Sequence, residues 1–274
     1  MIIDSHQHFW RLDRGDYTWL TPKLAPIYRD FAPADLGPIL KRHDIDATVL
    51  VQAAATTAET DYMLSIAADC AFVLGVVGWV DFESPNAAGE IERLARNSRL
   101  KGLRPMIQDV ADPEWMLKPA LRSAMNALQR CGLCFDALLK PQHLAPFARF
   151  LALYPDLAVV IDHGAKPAIA KGQFDDWAAL MREIARDPRV HCKMSGLATE
   201  AAPDWHQRDL KPYVDLLLES FGPARLMWGS DWPVVNLAGG YERWREASLN
   251  YLARLNEAEQ SAILGDTAER FYGL

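Results

Sequence analysis

The chain begins MIIDSHQH (residues 1–8), a short apolar run that opens onto two histidines one residue apart. In an extended backbone side chains two apart share a face, so His6 and His8 project together while Gln7 faces away. Two adjacent imidazoles can share a metal, polarise one oxygen or orient one water. The segment reads as a strand with chemistry at its C-terminal end.

That unit recurs along the chain. After a long polar and aromatic loop (9–31) carrying Trp10, Tyr17, Trp19 and Tyr28, helical spacing places Leu36, Ile39 and Leu40 on one face and leads into the β-branched run 48–52. Loops of that length often line or cover a site. Helical patterns at 59–70, 86–97, 113–130, 144–154, 174–186 and 210–221 then precede apolar strands at 73–80, 100–104, 133–138, 158–163, 190–195 and 225–231. A last amphipathic stretch covers 241–255. Near-continuous apolar strands alternating with amphipathic helices imply a parallel sheet covered by helices. Eight such units in 274 residues predict an α/β fold, a (β/α)8 TIM barrel, as one domain over 1–274. A doubly wound open sheet is disfavoured, because no G-x-G-x-x-G turn follows the first strand and Gly75 and Gly78 fall inside one.

Composition narrows the function. Half the residues are apolar, 24% are charged and the net charge is -7, which argues against nucleic acid or an anionic membrane as partner and favours a small, weakly charged ligand. Cys70, Cys131, Cys134 and Cys192 have no framework spacing, as suits a reducing cytoplasm, and Cys131 and Cys134 read as buried thiols rather than a redox pair. The start lacks a basic leader and the apolar stretch 64–80 is broken by Asp69, so neither export nor a membrane span is expected. No G-x-S-x-G elbow, P-loop or H-E-x-x-H helix is present.

A barrel places working residues at the C-terminal ends of several strands. The predicted strands end in His6 and His8, Gln52, Arg104, His163, Ser195 and Asp231, so polar groups converge on one mouth. An acid after the apolar 226–229 segment is costly to bury without a partner, and the three histidines supply one. Lys140, His43, His143, His191 and His206 fall away from the mouth or at its edge.

His-x-His on strand one, His on strand six and Asp on strand eight resemble the amidohydrolase superfamily. The fuller pattern, IIDSHQHFW (2–10), Trp19 and Leu20, VQAAATTAETDYML (51–64), VVGWVDF (76–82), KGLRPMIQD (101–109), VIDHGAKP (160–167), KMSGL (193–197) and LMWGSDWPVV (226–235), is similar to amidohydrolase-related lactonases of the L-fuconolactonase and L-rhamnonolactonase type. The resemblance spans the chain almost end to end and implies hydrolysis of a sugar lactone. That reaction needs a water, a base and donors for the oxyanion. Asp231 is the expected base, His163 the donor to the carbonyl oxygen, and His6 and His8 the supports for water or carbonyl. Arg104, Gln52, Trp10 and Trp19 are expected to hold the sugar, with Met106 and Trp232 extending that wall.

Superfamily members with two metals add a bridging lysine or glutamate and a strand-five histidine. Here Arg104 and Lys140 stand at those ends, and arginine stays protonated, so a binuclear centre is not expected. His6, His8 and Asp231 form a candidate site for a single zinc that catalysis is not expected to require. Two alternatives stand beside the lactonase reading: a metal-dependent amidohydrolase or decarboxylase of the same superfamily, and a non-catalytic carbohydrate-binding barrel.

Overall fold

A computed structural model describes residues Met1–Leu274. Eight parallel strands pair in chain order: β1 Ile3–Gln7, β2 Ala47–Val51, β3 Val73–Gly78, β4 Leu100–Leu103, β5 Cys134–Ala137, β6 Val159–Ile161, β7 Val190–Met194 and β8 Leu226–Trp228. The edge between β8 and β1 is closed by loop-end hydrogen bonds. Asp231 N–H donates to the His6 carbonyl at 2.8 Å and His8 N–H to the Trp232 carbonyl at 2.7 Å, while the Ser5 hydroxyl donates to the Trp228 carbonyl at 2.7 Å. The (β/α)8 barrel expected from the sequence is the fold observed. No helix is long and apolar enough to cross a membrane.

The helices α1 Pro33–Arg42, α2 Thr57–Asp69, α3 Ala87–Leu94, α4 Arg122–Arg130, α5 Leu144–Leu153, α6 Asp175–Ile184, α7 Gln207–Phe221 and α8 Gly240–Leu252 each follow the strand of the same number. Their apolar faces pack on the outward side chains of the strands, such as Leu50, Phe135, Ile161 and Trp228. One expected helix is corrected. Residues 113–130 do not form a single helix; Trp115–Leu117 and Pro119–Leu121 are separate 3-10 turns before α4. Pro119 lacks an N–H and disfavours helical backbone at Lys118, so no helix runs through it.

Inside the barrel a lower apolar layer contains Ile3, Val49, Val77, Val160 and Met227. The C-terminal helices α9 Glu257–Ser261 and α10 Thr267–Tyr272 bring Ala268 and Tyr272 against this layer. Above it the interior turns charged, and the mouth opens.

A local irregularity aims the first two site residues. The pairing of β1 with β2 shifts register between Asp4 and Gln7. Asp4 accepts from the Tyr241 hydroxyl of α8, outside the barrel, whereas His6 contacts Lys193 and Arg104 inside it. Two residues of equal parity thus face opposite sides, the re-aiming that an extra strand residue produces.

Candidate active site

Asp231 lies three residues beyond β8 at φ +58° and His163 two beyond β6 at φ +54°. Both adopt the left-handed region that ordinary residues avoid. His163 opens a left-handed turn that continues through Gly164, Ala165 and Lys166 at φ 56°, 61° and 49°. Trp177 of α6 donates its indole N–H to the Gly164 carbonyl at 2.8 Å and so fastens this turn.

The turn brings His163 beside the other mouth residues. Asp231 Oδ1 has His8 Nε2 at 3.2 Å, His6 Nε2 at 3.8 Å and His163 Nε2 at 3.9 Å. All four residues are buried. Each imidazole is oriented from behind: His8 Nδ1 donates to the Val51 carbonyl at 2.7 Å, His163 Nδ1 contacts the Ser195 hydroxyl at 2.9 Å, and His6 Nδ1 faces Asp162 Oδ1 at 3.4 Å. Arg104 Nη1 donates to His6 Nε2 at 3.3 Å and to Asp162 Oδ2 at 3.3 Å. Lys193 Nζ lies 3.3 Å from His6 Nδ1, so each nitrogen of this ring faces a cation that only donates.

Burial sets the charges here. It pushes His163 down to about 4, against the attraction of Asp231 and Asp162, and holds His6 well below its ordinary value with help from the Lys193 cation. Both rings are neutral at pH 7. Burial opposes the Asp231 charge as well, but His163, the His8 hydrogen bond and His6 outweigh it and hold that carboxyl well below the usual range. The mouth therefore contains an ionised Asp231 carboxylate beside the neutral rings of His6 and His163.

His8, His163 and Asp231 form the floor of a cavity of about 260 Å³, with His6 directly beneath them. Trp19, Leu24, Met106, Leu138, Val234 and Leu237 form its apolar wall, and Arg104, Gln108, Asp109 and Lys166 its polar side. Three residues expected to touch a sugar stand behind that wall. Trp10 is fully buried, donates its indole N–H to the Arg29 carbonyl at 2.8 Å and supports Trp19 edge-on at 5.5 Å. Trp232 packs on Phe31 and Phe9. Gln52 donates to the Arg104 carbonyl at 2.8 Å and contacts Met106 Sδ at 3.1 Å, while its own carbonyl accepts from Arg104 Nη2. It positions the two cavity residues Arg104 and Met106 instead of lining the space.

Sequence reading missed the charged layer beneath the mouth. Lys193 Nζ donates to Asp136 Oδ2 at 2.6 Å and lies 3.0 Å from Asp162 Oδ1. Asp136 and Lys193 are lone acidic or basic residues within apolar strand segments, such as Cys192-Lys193-Met194, and Asp162 directly follows the apolar β6. In a fully buried parallel strand that is the available signal.

Three of these groups could hold a metal ion. His6, His163 and Asp231 bring one ligand atom each to within 4.8 Å of one another. His163 takes the place expected for His8 in this set; His8 instead hydrogen-bonds Asp231 Oδ1 at 3.2 Å, with its Nδ1 on the Val51 carbonyl. Two imidazoles and a carboxylate, with the far nitrogens held by Asp162 and Ser195, fit a single zinc with an open position. Arg104, already on His6 Nε2, brings a positive charge against such an ion.

An eight-stranded barrel whose mouth holds an ionised carboxylate among histidines fits a hydrolase. The chain belongs to the amidohydrolase family, whose model matches residues 3–274. It is 47% identical over 239 residues to an L-fucono-1,5-lactonase of Burkholderia ambifaria, covering 87% of this chain and 82% of that protein. It is 39% identical to an L-fucono-1,5-lactonase of Burkholderia multivorans, covering 99% of this chain and 96% of that one. An amidohydrolase of Burkholderia multivorans crystallised with bound zinc superposes with a TM-score of 0.93 at 37% identity, covering 100% of this chain and 99% of that one.

Proposed function

We propose that this chain hydrolyses a sugar lactone of the L-fuconolactone type to the open-chain aldonic acid. The observation that carries the reading is the Asp231 carboxylate, ringed by His8, His6 and His163 at 3.2, 3.8 and 3.9 Å at the floor of the mouth cavity. The names of the two lactonase relatives favour the six-membered 1,5 ring.

Asp231 is the base. A water on its Oδ1 gives up a proton as its oxygen attacks the lactone carbonyl carbon, and the carbonyl electrons move to oxygen. His163 stays neutral, and with the Ser195 hydroxyl donating to Nδ1, its Nε2–H is free to donate to that oxyanion. As the tetrahedral centre collapses, the ring C–O bond breaks and Asp231 returns its proton to the departing oxygen. His6 and His8 hold the water, Arg104 and Gln108 hold hydroxyls, and Trp19 covers a C–H face of the sugar. Gln52, Trp10 and Trp232 act by holding this wall in place.

If zinc is bound, His6, His163 and Asp231 are its ligands, and it would polarise the carbonyl and acidify water there. No step above needs it. The test is acid release from L-fucono-, L-rhamnono-, L-galactono- and D-arabinonolactone. Turnover of at least one is expected, and inertness of all four at micromolar enzyme would remove the lactonase reading.

A further inference from the structure

The seam between β8 and β1 differs from the others in the barrel. Strands β1 to β8 pair as ladders in chain order, whereas β8 and β1 share no ladder and the chain beyond β8 meets β1 in a single bridge, Gln7 with Trp232. Both sides of this seam carry mouth residues, His6 and His8 on one and Asp231 on the other. Asp4 spans it. Its side chain is fully buried, and one oxygen, Oδ1, accepts from the Ser230 N–H across the seam at 2.8 Å and from the His6 N–H of its own strand at 3.2 Å. The other oxygen accepts from the Tyr241 hydroxyl at 3.2 Å.

Both N–H groups sit where the backbone is irregular. β1 shifts register between Asp4 and Gln7, and Ser230 precedes Asp231, which stands at φ +58°. A residue other than glycine persists there when its surroundings over-determine it. Successive N–H groups of the turn all have acceptors: Ser230 on Asp4, Asp231 on the His6 carbonyl at 2.8 Å, and Trp232 on the Ser230 hydroxyl at 2.9 Å. Of these acceptors only the Asp4 carboxylate is a side chain reaching from the opposite strand. The approach is close, since a Cβ on Gly229 would lie 2.8 Å from His6 Cβ. Removing Oδ1 takes an acceptor from a buried N–H on each side of the seam at once, and such groups move to find another partner. The segments that move are those bearing His6 and Asp231.

We propose that Asp4 is a positioning residue: by holding the Ser230 and His6 N–H groups on one oxygen it fixes the spacing of His6 and Asp231 across the seam, and with it the aim of the Asp231 carboxylate. The kinetic part of this proposal rests on the lactonase reading, and the geometric part does not.

The test uses full-length protein. Asp4→Asn keeps an oxygen at the Oδ1 position and removes the charge. Asp4→Ser stops a bond length short, so its hydroxyl can serve the nearby His6 N–H but does not reach Ser230, and Asp4→Ala removes the acceptor. Amide hydrogen exchange by mass spectrometry is followed on peptides covering 226–235 and 100–138, beside lactone kinetics corrected for the folded fraction. In the Ser and Ala variants 226–235 is expected to exchange about tenfold faster with 100–138 unchanged. Their kcat is expected to fall about 10- to 100-fold with KM within about threefold. Asp4→Asn is expected to keep wild-type exchange and a kcat within about threefold of wild type. Loss of protection over the whole barrel, with the kcat of folded molecules unchanged, is what a structural role alone produces and overturns the proposal. So does an Asp4→Asn as slow as Asp4→Ala, which would make the charge and not the bond the contribution. If Asp4→Ala does not fold, the Ser and Asn variants decide the same question. If wild type hydrolyses no lactone, the functional reading falls while the exchange data still decide the bridge.

Discussion

His163 Nε2 stops 3.9 Å from Asp231 Oδ1, too far for a hydrogen bond and close enough for one oxygen atom to bond both. His8, by contrast, touches the same carboxylate oxygen at 3.2 Å. The gap between His163 and Asp231 is where base and electrophile can act on one reacting centre without neutralising each other.

Replacing Asp231 by Asn keeps the shape and removes the base. Turnover is expected to fall by about 10² to 10⁴, with substrate affinity by calorimetry changed little. A non-catalytic sugar-binding barrel would leave every measurable property of this variant intact, so retained function points there.

The pH profile follows from His163. Its folded value of about 4 lies below the ordinary 6.5, so between these values the unfolded chain binds more protons than the folded one. This contribution to stability is fully present above about pH 6.5 and is lost as pH falls toward 4. The catalytic donor is protonated over the same low range. The kcat/KM profile is expected to be level above pH 6.5, with its acid limb centred near 4. A limb centred at 6.5 would show that His163 is not desolvated.

Gly196 packs on the ring it follows. A Cβ there would lie 2.4 Å from His163 Nδ1 and 2.6 Å from Cγ, at φ +61°. Gly196→Ala must displace the imidazole and break its bond to Ser195. Melting measurements are expected to show a loss of about 1–3 kcal/mol, and kinetics a kcat reduced by about 10². Wild-type kcat in this variant would remove His163 from the mechanism.

Two tryptophans that look alike in sequence should separate by assay. Trp19 lines the cavity, and Trp19→Ala is expected to raise KM about fivefold, the equivalent of about 1 kcal/mol of ring contact, with kcat nearly kept. Trp10→Phe loses the bond to the Arg29 carbonyl and is expected to lower the melting temperature with KM unchanged. The reverse pattern would put Trp10 against the substrate.

Metal removal bears on the floor of the site. Because Arg104 stands 3.3 Å from His6 Nε2, chelator-treated protein is expected to keep its lactone turnover within about twofold. Complete loss, regained on adding zinc, would make the ion part of the mechanism.

The barrel was legible because each strand combined an apolar run with a polar end, and the mouth was legible because those ends were histidine, arginine and aspartate. His6, His8, His163 and Asp231 come together as their positions implied. What periodicity could not convey was direction. The shifted register in β1 decides that His6 turns inward while Asp4 turns out, and a two-residue period is blind to it. Trp10 and Trp19 occupy one aromatic loop, and only tertiary packing assigns one to the wall and the other to its support. Asp136, Asp162 and Lys193 were passed over because a charge within or just after an apolar strand gives no hint of its partner one or two strands away.

The left-handed turn from His163 to Lys166 also bears on where the catalytic geometry is encoded. Three of its four residues are not glycine, and each costs about 1–2 kcal/mol in that conformation. A free peptide of this sequence would not hold it. It persists through contacts made from elsewhere, by Trp177 of α6, by Ser195 after β7 and by Leu217 of α7 against Gly164. His163 is therefore held in place by α6, the end of β7 and α7, so the catalytic geometry is a property of neighbouring units of the ring and is not encoded in the local sequence alone.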